Sequence, residues 1–202
     1  MKYIIMADGK GTRWNNYNDI TKHFCVINGE PIILRTVRLL RENGIDDIII
    51  TSHNPSYNIE GAKRYEPLKN NEEIDRFTYE LINEEIVFLY GDTYYEEKTI
   101  QDIINAKTDK ILFFGNDKSI VAIKVIDYIL FKSIIDKIKE MGIPGKGWTV
   151  YQIINGLPFD SREVKDNFIY VGNNSIDVNT PGEYTYLVKK YEGGQVNEKI
   201  HK

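Results

Sequence analysis

The chain has 202 residues, of which 42% are hydrophobic and 28% are charged, so its composition suits a folded protein with a core. Its formal net charge of −4 argues against a generic nucleic-acid binder, which would carry a basic excess. A single cysteine, Cys25, excludes an intramolecular disulfide framework. No apolar run approaches the roughly 18 residues of a membrane helix, and the first apolar stretch is too short for a signal peptide. We therefore expect a cytoplasmic protein.

Short apolar runs alternate with helical patterns along the chain. Parallel strands that are buried on both faces form continuous apolar runs of this kind. The predicted strands are 3–7, 25–27, 48–50, 86–89, 111–114 and 120–125. The predicted helices are 31–40 with Gly44 as its stop, 72–81, 100–106, 128–141, one that carries Trp148 and Tyr151, and 180–191, which opens with a Thr180–Glu183 capping box.

This alternation predicts an α/β fold, a Rossmann-like three-layer αβα sandwich around a mostly parallel, mixed central sheet. The chain has no Pro/Gly-rich linker, so we predict one domain over residues 1–202. In such sheets ligands bind beyond the carboxyl ends of the strands. Residues 9–13 and the pair Gly91-Asp92 both follow predicted strands, which places them at that edge.

A glycine-rich loop with the sequence DGKGTR, residues 8–13, follows the first predicted strand. Glycines at such a position let backbone N–H groups surround phosphate oxygens, and Thr12 adds a hydroxyl. Lys10 and Arg13 add positive charge suited to a polyphosphate. The loop lacks the Walker pattern, and Trp14 occupies the third glycine position of the dinucleotide-binding pattern. The alternative is an ordinary strand-to-helix turn with surface charges.

Two aspartates next to later apolar segments are candidate ligands for Mg²⁺. Asp92 follows strand 86–89, and Asp177 precedes the capped helix, with Asn179 nearby. A Mg²⁺ ion that bridges phosphates takes one or two carboxylates, with phosphate and water as its other ligands. Lys22, after the glycine loop, could neutralise a phosphate. The structural alternatives are turn or cap chemistry for the aspartates and simple solvation for the lysine.

Together these segments resemble the nucleotidyltransferase (sugar-nucleotide pyrophosphorylase) family. Residues 3–13, YIIMADGKGTR, are similar to its opening Leu-Ala-Ala-Gly-x-Gly-Thr-Arg signature. Lys22 and residues 26–33, VINGEPII, resemble its Lys-Pro and Asn-Gly-Lys-Pro-Leu segment. Residues 90–92, YGD, and 176–181, IDVNTP, look like its two metal-binding segments.

The resemblance implies a GT-A-like nucleotide-binding fold and a reaction in which an NTP and a phosphorylated acceptor give an NDP-acceptor and pyrophosphate. By motif, Arg13 would hold the departing pyrophosphate and Lys22 the α-phosphate, while Asp92 and Asp177 would hold Mg²⁺. The implied nucleotide-binding residues are Ala7, Asp8, Gly9, Gly11, Thr12, Arg13, Tyr90 and Gly91.

Three departures from the family pattern leave the nucleotide open. Asp8 replaces a small residue and could face the base, the ribose or a metal-bound water; His23 replaces a proline; and residues 65–79 lack a Gly-Thr-Ala-type segment. Compact relatives favour CTP with a phosphorylated polyol, alcohol, amine or sugar, for surface-polysaccharide precursors. The alternatives are a uridylyl- or guanylyltransferase acting on a sugar 1-phosphate and a non-catalytic nucleotide sensor.

The acceptor is expected to bind the second half of the chain, about 116–180, because nucleotide motifs fill the first half, about 1–115. The candidate acceptor residues are Lys124, Trp148, Tyr151 and Asn179. For the two aromatic residues, core packing is the alternative. We expect no nucleic-acid or membrane partner, and the oligomeric state stays open, with a homodimer as one alternative.

Overall fold

A computed structural model describes residues 1–172 and 175–198. Its strands are β1 (Lys2–Met6), β2 (Val26–Ile27), β3 (Glu30–Pro31), β4 (Ile48–Thr51), β5 (Lys63–Tyr65), β6 (Ile86–Tyr90), β7 (Thr93–Tyr94), β8 (Ile111–Gly115), β9 (Ile120–Val125), β10 (Phe168–Tyr170) and β11 (Ile176–Asp177). Its α-helices are α1 (Ile32–Glu42), α2 (Glu97–Asn105), α3 (Tyr128–Met141), α4 (Gly147–Ile154) and α5 (Pro181–Glu198). Within these residues no helix is both long and apolar enough to cross a membrane.

The main sheet has seven strands in the described residues, in the order β10-β8-β9-β6-β1-β4-β5. β1 pairs in parallel with both β4 and β6, and only β9 runs against its two neighbours. The carboxyl ends of β1, β4 and β6 therefore meet at one edge, where β9 begins. Two small sheets, β2–β3 and β7–β11, lie outside the main one. This is the predicted mixed, mostly parallel sheet.

Apolar side chains cover both faces of the main sheet. One core contains Ile5 of β1, packed with Leu40 of α1 and Ile103 of α2. The other contains Phe88 of β6 and Phe131 of α3, together with residues of α4. Because helices bury the sheet from both sides, the strands need apolar residues at successive positions, and the sequence supplies them. The predicted three-layer α/β fold is confirmed.

The helix predicted over 72–81 is wrong. The segment instead forms two 3₁₀ turns, Glu73–Phe77 and Tyr79–Leu81. Thr78 separates them with a φ of 45°, a left-handed conformation that no regular helix accommodates. The pattern misled because Ile74 and Phe77, both buried, are three residues apart, a spacing shared by α- and 3₁₀-helices.

Candidate active site

A cavity of about 850 Å³ opens at the edge of the sheet where β1 and β6 end and β9 begins. The predicted site residues that line it are Asp8, Gly9, Gly11, Thr12, Arg13, Lys22, Tyr90, Asp92, Trp148, Asp177 and Asn179. Ala7, Gly91, Lys124 and Tyr151 were also predicted but do not line it. The structure therefore brings most of the candidate residues to one place.

Gly91 lies behind the cavity, where the ends of β1 and β6 approach each other closely. Its N–H donates to the Met6 carbonyl at 3.0 Å. A Cβ at this position would lie 2.8 Å from that carbonyl oxygen, so a larger residue would force the two strands apart. Gly91 and the buried Ala7 thus support the site from behind without facing the cavity.

The glycine loop forms a tight turn directly after the carboxyl end of β1. Gly11 has a φ of +59°, which favours glycine, and its carbonyl accepts a hydrogen bond from the Trp14 N–H at 3.0 Å. The Trp14 ring is buried, and its indole N–H donates to the Ile20 carbonyl at 2.6 Å. Trp14, at the position of the absent third glycine, therefore anchors the loop while residues 8–13 line the cavity.

Asp8 is paired with a histidine from the end of the neighbouring strand. Its carboxylate accepts a hydrogen bond from the His53 backbone N–H at 2.9 Å, and its other oxygen lies 2.6 Å from His53 Nδ1. The Asn70 side-chain amide donates to the Asp8 backbone carbonyl at 2.9 Å. These contacts tie the start of the glycine loop to the segments that follow β4 and β5.

Lys22, which is buried, and the half-buried Asp92 and Asp177 form a charged cluster in the lining of the cavity. The Lys22 ammonium contacts an Asp92 carboxylate oxygen, and both side chains are largely shielded from solvent. Asp177 accepts a hydrogen bond from the Thr93 hydroxyl at 2.7 Å. The pairing of β7 with β11 places Thr93 directly opposite Asp177, which is how a residue far along the chain reaches the end of β6.

The two aspartates have shifted acidities in opposite directions. Burial and the nearby charge of Asp92 raise the pKa of Asp177 to about 6. Burial would also raise the pKa of Asp92, but the Lys22 ammonium outweighs it and holds that pKa below its ordinary value. Two neighbouring carboxylates, of which only Asp92 contacts an ammonium, leave uncompensated negative charge that a bound cation would offset.

This pair of carboxylates fits Mg²⁺ better than it fits a transition metal. Among residues 1–172 and 175–198 there is no cluster of three or more His, Cys, Asp or Glu side chains that could hold a metal. Zinc in proteins usually takes three or four such ligands. Mg²⁺ takes one or two carboxylates and completes its shell with phosphate and water, which a nucleotide site supplies.

His23, the residue after Lys22, lies beside the cluster and also lines the cavity. Its ring is buried, with Nδ1 2.5 Å from the Tyr57 hydroxyl oxygen. Burial lowers the pKa of His23 to about 4, so the ring is neutral at pH 7. It therefore adds no charge beside Lys22.

Arg13 connects the glycine loop to the late segment of the chain. Its guanidinium donates to the Asn179 side-chain oxygen at 2.8 Å. Asn179 is fixed in turn, because its backbone N–H donates to Glu183 at 2.9 Å. The Thr180–Glu183 capping box is present as predicted, with reciprocal bonds of 2.9 and 3.2 Å.

Two of the predicted acceptor residues lie away from the cavity. Lys124 is buried on the other side of the sheet, where its ammonium donates to the Ile104 and Ala106 carbonyls at 2.9 and 2.7 Å at the end of α2. Tyr151 is fully buried among aromatic rings, and its hydroxyl accepts a hydrogen bond from the Lys165 backbone N–H at 2.6 Å. The prediction was wrong for both, because Lys124 caps a helix and Tyr151 belongs to the core.

Trp148, which was predicted, does line the cavity. It follows Gly147, where a Cβ would lie 2.7 Å from the Tyr90 hydroxyl oxygen.

Several other cavity residues were not predicted from the sequence. The missed residues include Asn70, Asn71, Glu72, Glu73, Arg76, Lys118, Ser119, Lys146 and Arg162. They lie in polar loops and turns, where nothing in the local pattern separates a cavity residue from a solvated one.

Comparison with solved structures supports the same architecture. A CTP:phosphocholine cytidylyltransferase from Streptococcus pneumoniae superposes with a TM-score of 0.61 at 17% identity, over 94% of this chain and 98% of that one. 4-Diphosphocytidyl-2C-methyl-D-erythritol synthase from Anaerococcus prevotii superposes with a TM-score of 0.63 at 14% identity, over 95% of this chain and 95% of that one. UDP-glucose pyrophosphorylase from Acinetobacter baumanii superposes with a TM-score of 0.65 at 10% identity, over 98% of this chain and 99% of that one.

Sequence comparison adds nothing to this result. No family model matches the chain, and no curated protein matches it in sequence. The structural matches extend over nearly the full length of both partners, so they concern the whole architecture and not one motif. The chain has the nucleotidyltransferase fold.

Proposed function

We propose that the protein is a Mg²⁺-dependent nucleotidyltransferase that transfers an NMP group, with CMP favoured, from an NTP to a small phosphorylated acceptor. One observation carries this proposal. A glycine loop with Arg13, the Lys22–Asp92 pair and the half-buried Asp177 converge on one cavity at the carboxyl edge of the sheet. This arrangement offers donors for a triphosphate and carboxylates for its metal in the same space.

In the proposed reaction, an oxygen of the acceptor phosphate attacks the α-phosphorus of the NTP. The new P–O bond forms as the bond from the α-phosphorus to the bridging oxygen breaks, and pyrophosphate leaves with the electron pair. Arg13 stabilises the charge on the departing pyrophosphate, and Lys22 orients the α-phosphate and the incoming phosphate. The chain needs no covalent intermediate, because positioning and charge stabilisation supply most of the catalysis in such transfers.

The residues have separate proposed roles around this centre. Gly9, Gly11 and Thr12 bind phosphate oxygens, and Asp92 and Asp177 hold the metal. When bound, Mg²⁺ offsets the negative charge of the reacting phosphates. The nucleoside is bounded by Asp8 and Tyr90, with Ala7 and Gly91 behind them, and the acceptor by Trp148 and Asn179.

The choice of CTP rests on analogy. Two of the three similar structures carry a cytidyl group in their names, and the chain matches them over nearly their whole length. The third is named for a uridine nucleotide, so the fold by itself does not select the base. We assign the nucleotide to residues of about 1–115 and the acceptor to about 116–180, and propose a role in surface-polysaccharide precursor synthesis.

The direct test is a pyrophosphate-release screen with CTP, UTP, GTP and ATP against a panel of phosphorylated alcohols, polyols, amines and sugars, with Mg²⁺. We expect release with one NTP and one class of acceptor, and none when Mg²⁺ is removed by EDTA. Asp177→Asn serves as the inactive control, and Asp109→Asn, an exposed carboxylate outside the cavity, as the matched active control.

The outcomes separate the alternatives. Release with UTP or GTP but not CTP would contradict only the choice of nucleotide. Tight NTP binding without turnover for any acceptor would contradict the enzymatic proposal and favour a nucleotide sensor.

A further inference from the structure

The acceptor end of the cavity carries three basic side chains that the proposed transfer chemistry does not use. Lys118 lies in the turn between β8 and β9, Lys146 directly precedes α4, and Arg162 lies between α4 and β10. Three separate segments therefore bring a positive charge to the same part of the cavity.

Among the cavity cations, Lys22 and Arg76 have acidic partners that also line the cavity, whereas these three, like Lys10 and Arg13 of the glycine loop, form no ion pair with a described residue. In residues 1–172 and 175–198, no carboxylate lies within ion-pair distance of Lys118, Lys146 or Arg162. Like charges gathered in a concave site repel one another, and they attract an anion to it.

One of the three cations, Arg162, also lies over an aromatic ring. The Arg162 guanidinium lies 4.4 Å from the centroid of the Trp148 ring, and Phe168 stacks against the same ring at 5.6 Å. The other large aromatic ring lining the cavity, Tyr90, has the Arg76 guanidinium 5.8 Å from its centroid. A quaternary ammonium group is bound by free aromatic faces. Here a protein cation already lies over a face of each ring, so a quaternary ammonium group at that face would meet both steric and charge opposition.

We infer that the acceptor carries a second anionic group, a carboxylate or a further phosphate, besides the phosphate that reacts, and is not a phosphorylated quaternary amine. The inference rests on the proposed function, because it assigns this end of the cavity to the acceptor. One phosphate needs no more than one or two of the three cations, and a second anionic group uses the remainder. Arg162 held over Trp148 is placed to donate to it with a planar fork suited to carboxylate and phosphate oxygens.

The test compares three small probes that share a phosphate and differ in the other end: 3-phosphoglycerate, glycerol 3-phosphate and phosphocholine. Each is titrated calorimetrically into protein saturated with Mg²⁺ and the α,β-methylene analogue of the NTP that binds most tightly. We expect 3-phosphoglycerate to bind at least tenfold more tightly than glycerol 3-phosphate, which is about the contribution of one charge-assisted hydrogen bond. Phosphocholine should bind most weakly.

Two variants give effects that loss of folding cannot imitate. Arg162→Gln should weaken binding of 3-phosphoglycerate about tenfold and strengthen that of phosphocholine, because it removes a repulsive charge and frees the Trp148 ring. Lys146→Gln should weaken 3-phosphoglycerate only. Lys137→Gln, an exposed lysine of α3 outside the cavity, is the matched control and should change neither affinity.

Equal affinities for the three probes, no binding of any of them, or tightest binding of phosphocholine would overturn the inference. The proposed function has its own readout in pyrophosphate release. The predicted order of affinities without pyrophosphate release for any acceptor would contradict the catalytic proposal and leave the preference for a doubly anionic ligand intact. Release with phosphocholine as the best acceptor would contradict this inference alone.

Discussion

Replacing Asp177 by asparagine should make the metal-free protein more stable while it abolishes turnover. Burial and the charge of Asp92 raise the pKa of Asp177 from 3.8 to about 6. Each tenfold change in proton affinity corresponds to about 1.4 kcal/mol, so the ionised Asp177 costs the folded state about 3 kcal/mol at pH 7. Asparagine removes the charge and retains an oxygen that can accept the Thr93 hydroxyl.

The sign of the effect depends on pH. A carboxyl whose pKa is raised by folding is penalised in the folded state once it ionises there, above about pH 6, and carries no penalty below 3.8. The gain from Asp177→Asn should therefore be complete at pH 7 and absent near pH 3.8. For a chain of this length, about 3 kcal/mol corresponds to a rise in Tm of roughly 6–12 °C.

Asp92→Asn should act in the opposite direction although it also removes a carboxylate. It leaves the buried Lys22 ammonium without its partner, and breaking a buried ion pair in this way typically costs about 3–5 kcal/mol. The assay is urea unfolding followed by circular dichroism with EDTA present, at pH 7 and pH 4. Asp109→Asn is the control and should change little. Destabilisation by Asp177→Asn at pH 7, or a gain that persists at pH 4, would refute this account of the cluster.

Three further predictions concern the same site. Arg13→Ala should lower kcat about 10²–10³-fold with an unchanged Tm, and Arg13→Lys should restore only part of the lost kcat, since a point charge cannot replace a bidentate donor. Arg41→Ala on the surface is the control. An unchanged kcat in Arg13→Ala would remove Arg13 from the site. The double variant Asp92→Asn/Asp177→Asn should be barely less active than either single one, because residues that act as a unit are not additive; multiplied losses would contradict the shared metal. Burial lowers the pKa of His23 from 6.5 to about 4, so the folded state loses stability as the pH falls through that interval. In urea unfolding, the loss of unfolding free energy over this interval should be smaller in His23→Phe by about 3 kcal/mol. An identical loss in the variant would exclude this role of His23.

The fold was predictable because its central strands can be identified from the local sequence. β1, β4 and β6 are buried on both faces and therefore stand out as apolar runs, and the parallel order of such strands places the segments that follow them at one edge. That is why the glycine loop and Asp92 were expected together. Asp177 was a candidate because it precedes the capped helix, but its position beside Asp92 was not predictable, since β11 is only two residues long and its pairing with β7 has no periodic pattern in the sequence.

The acceptor end was not predictable in the same way. Lys124 was a candidate because it lies in the half of the chain left for the acceptor, yet its long stem lets the ammonium reach carbonyls at the end of α2 while the rest stays buried. Lys118 and Arg162 give no signal in the sequence, because only the tertiary structure places their loops beside Trp148. Residues of this kind depend on long-range packing, which local patterns do not record.

The most direct test of the central claim is ³¹P NMR of the protein mixed with an NTP, the acceptor selected by the release screen, and Mg²⁺. Transfer of the NMP group predicts equal, growing amounts of free pyrophosphate and of a new diphosphate diester that joins the α-phosphate to the acceptor phosphate, with no orthophosphate. An unchanged spectrum at saturating substrates, or release of orthophosphate with an NDP, would contradict nucleotidyl transfer at this cavity.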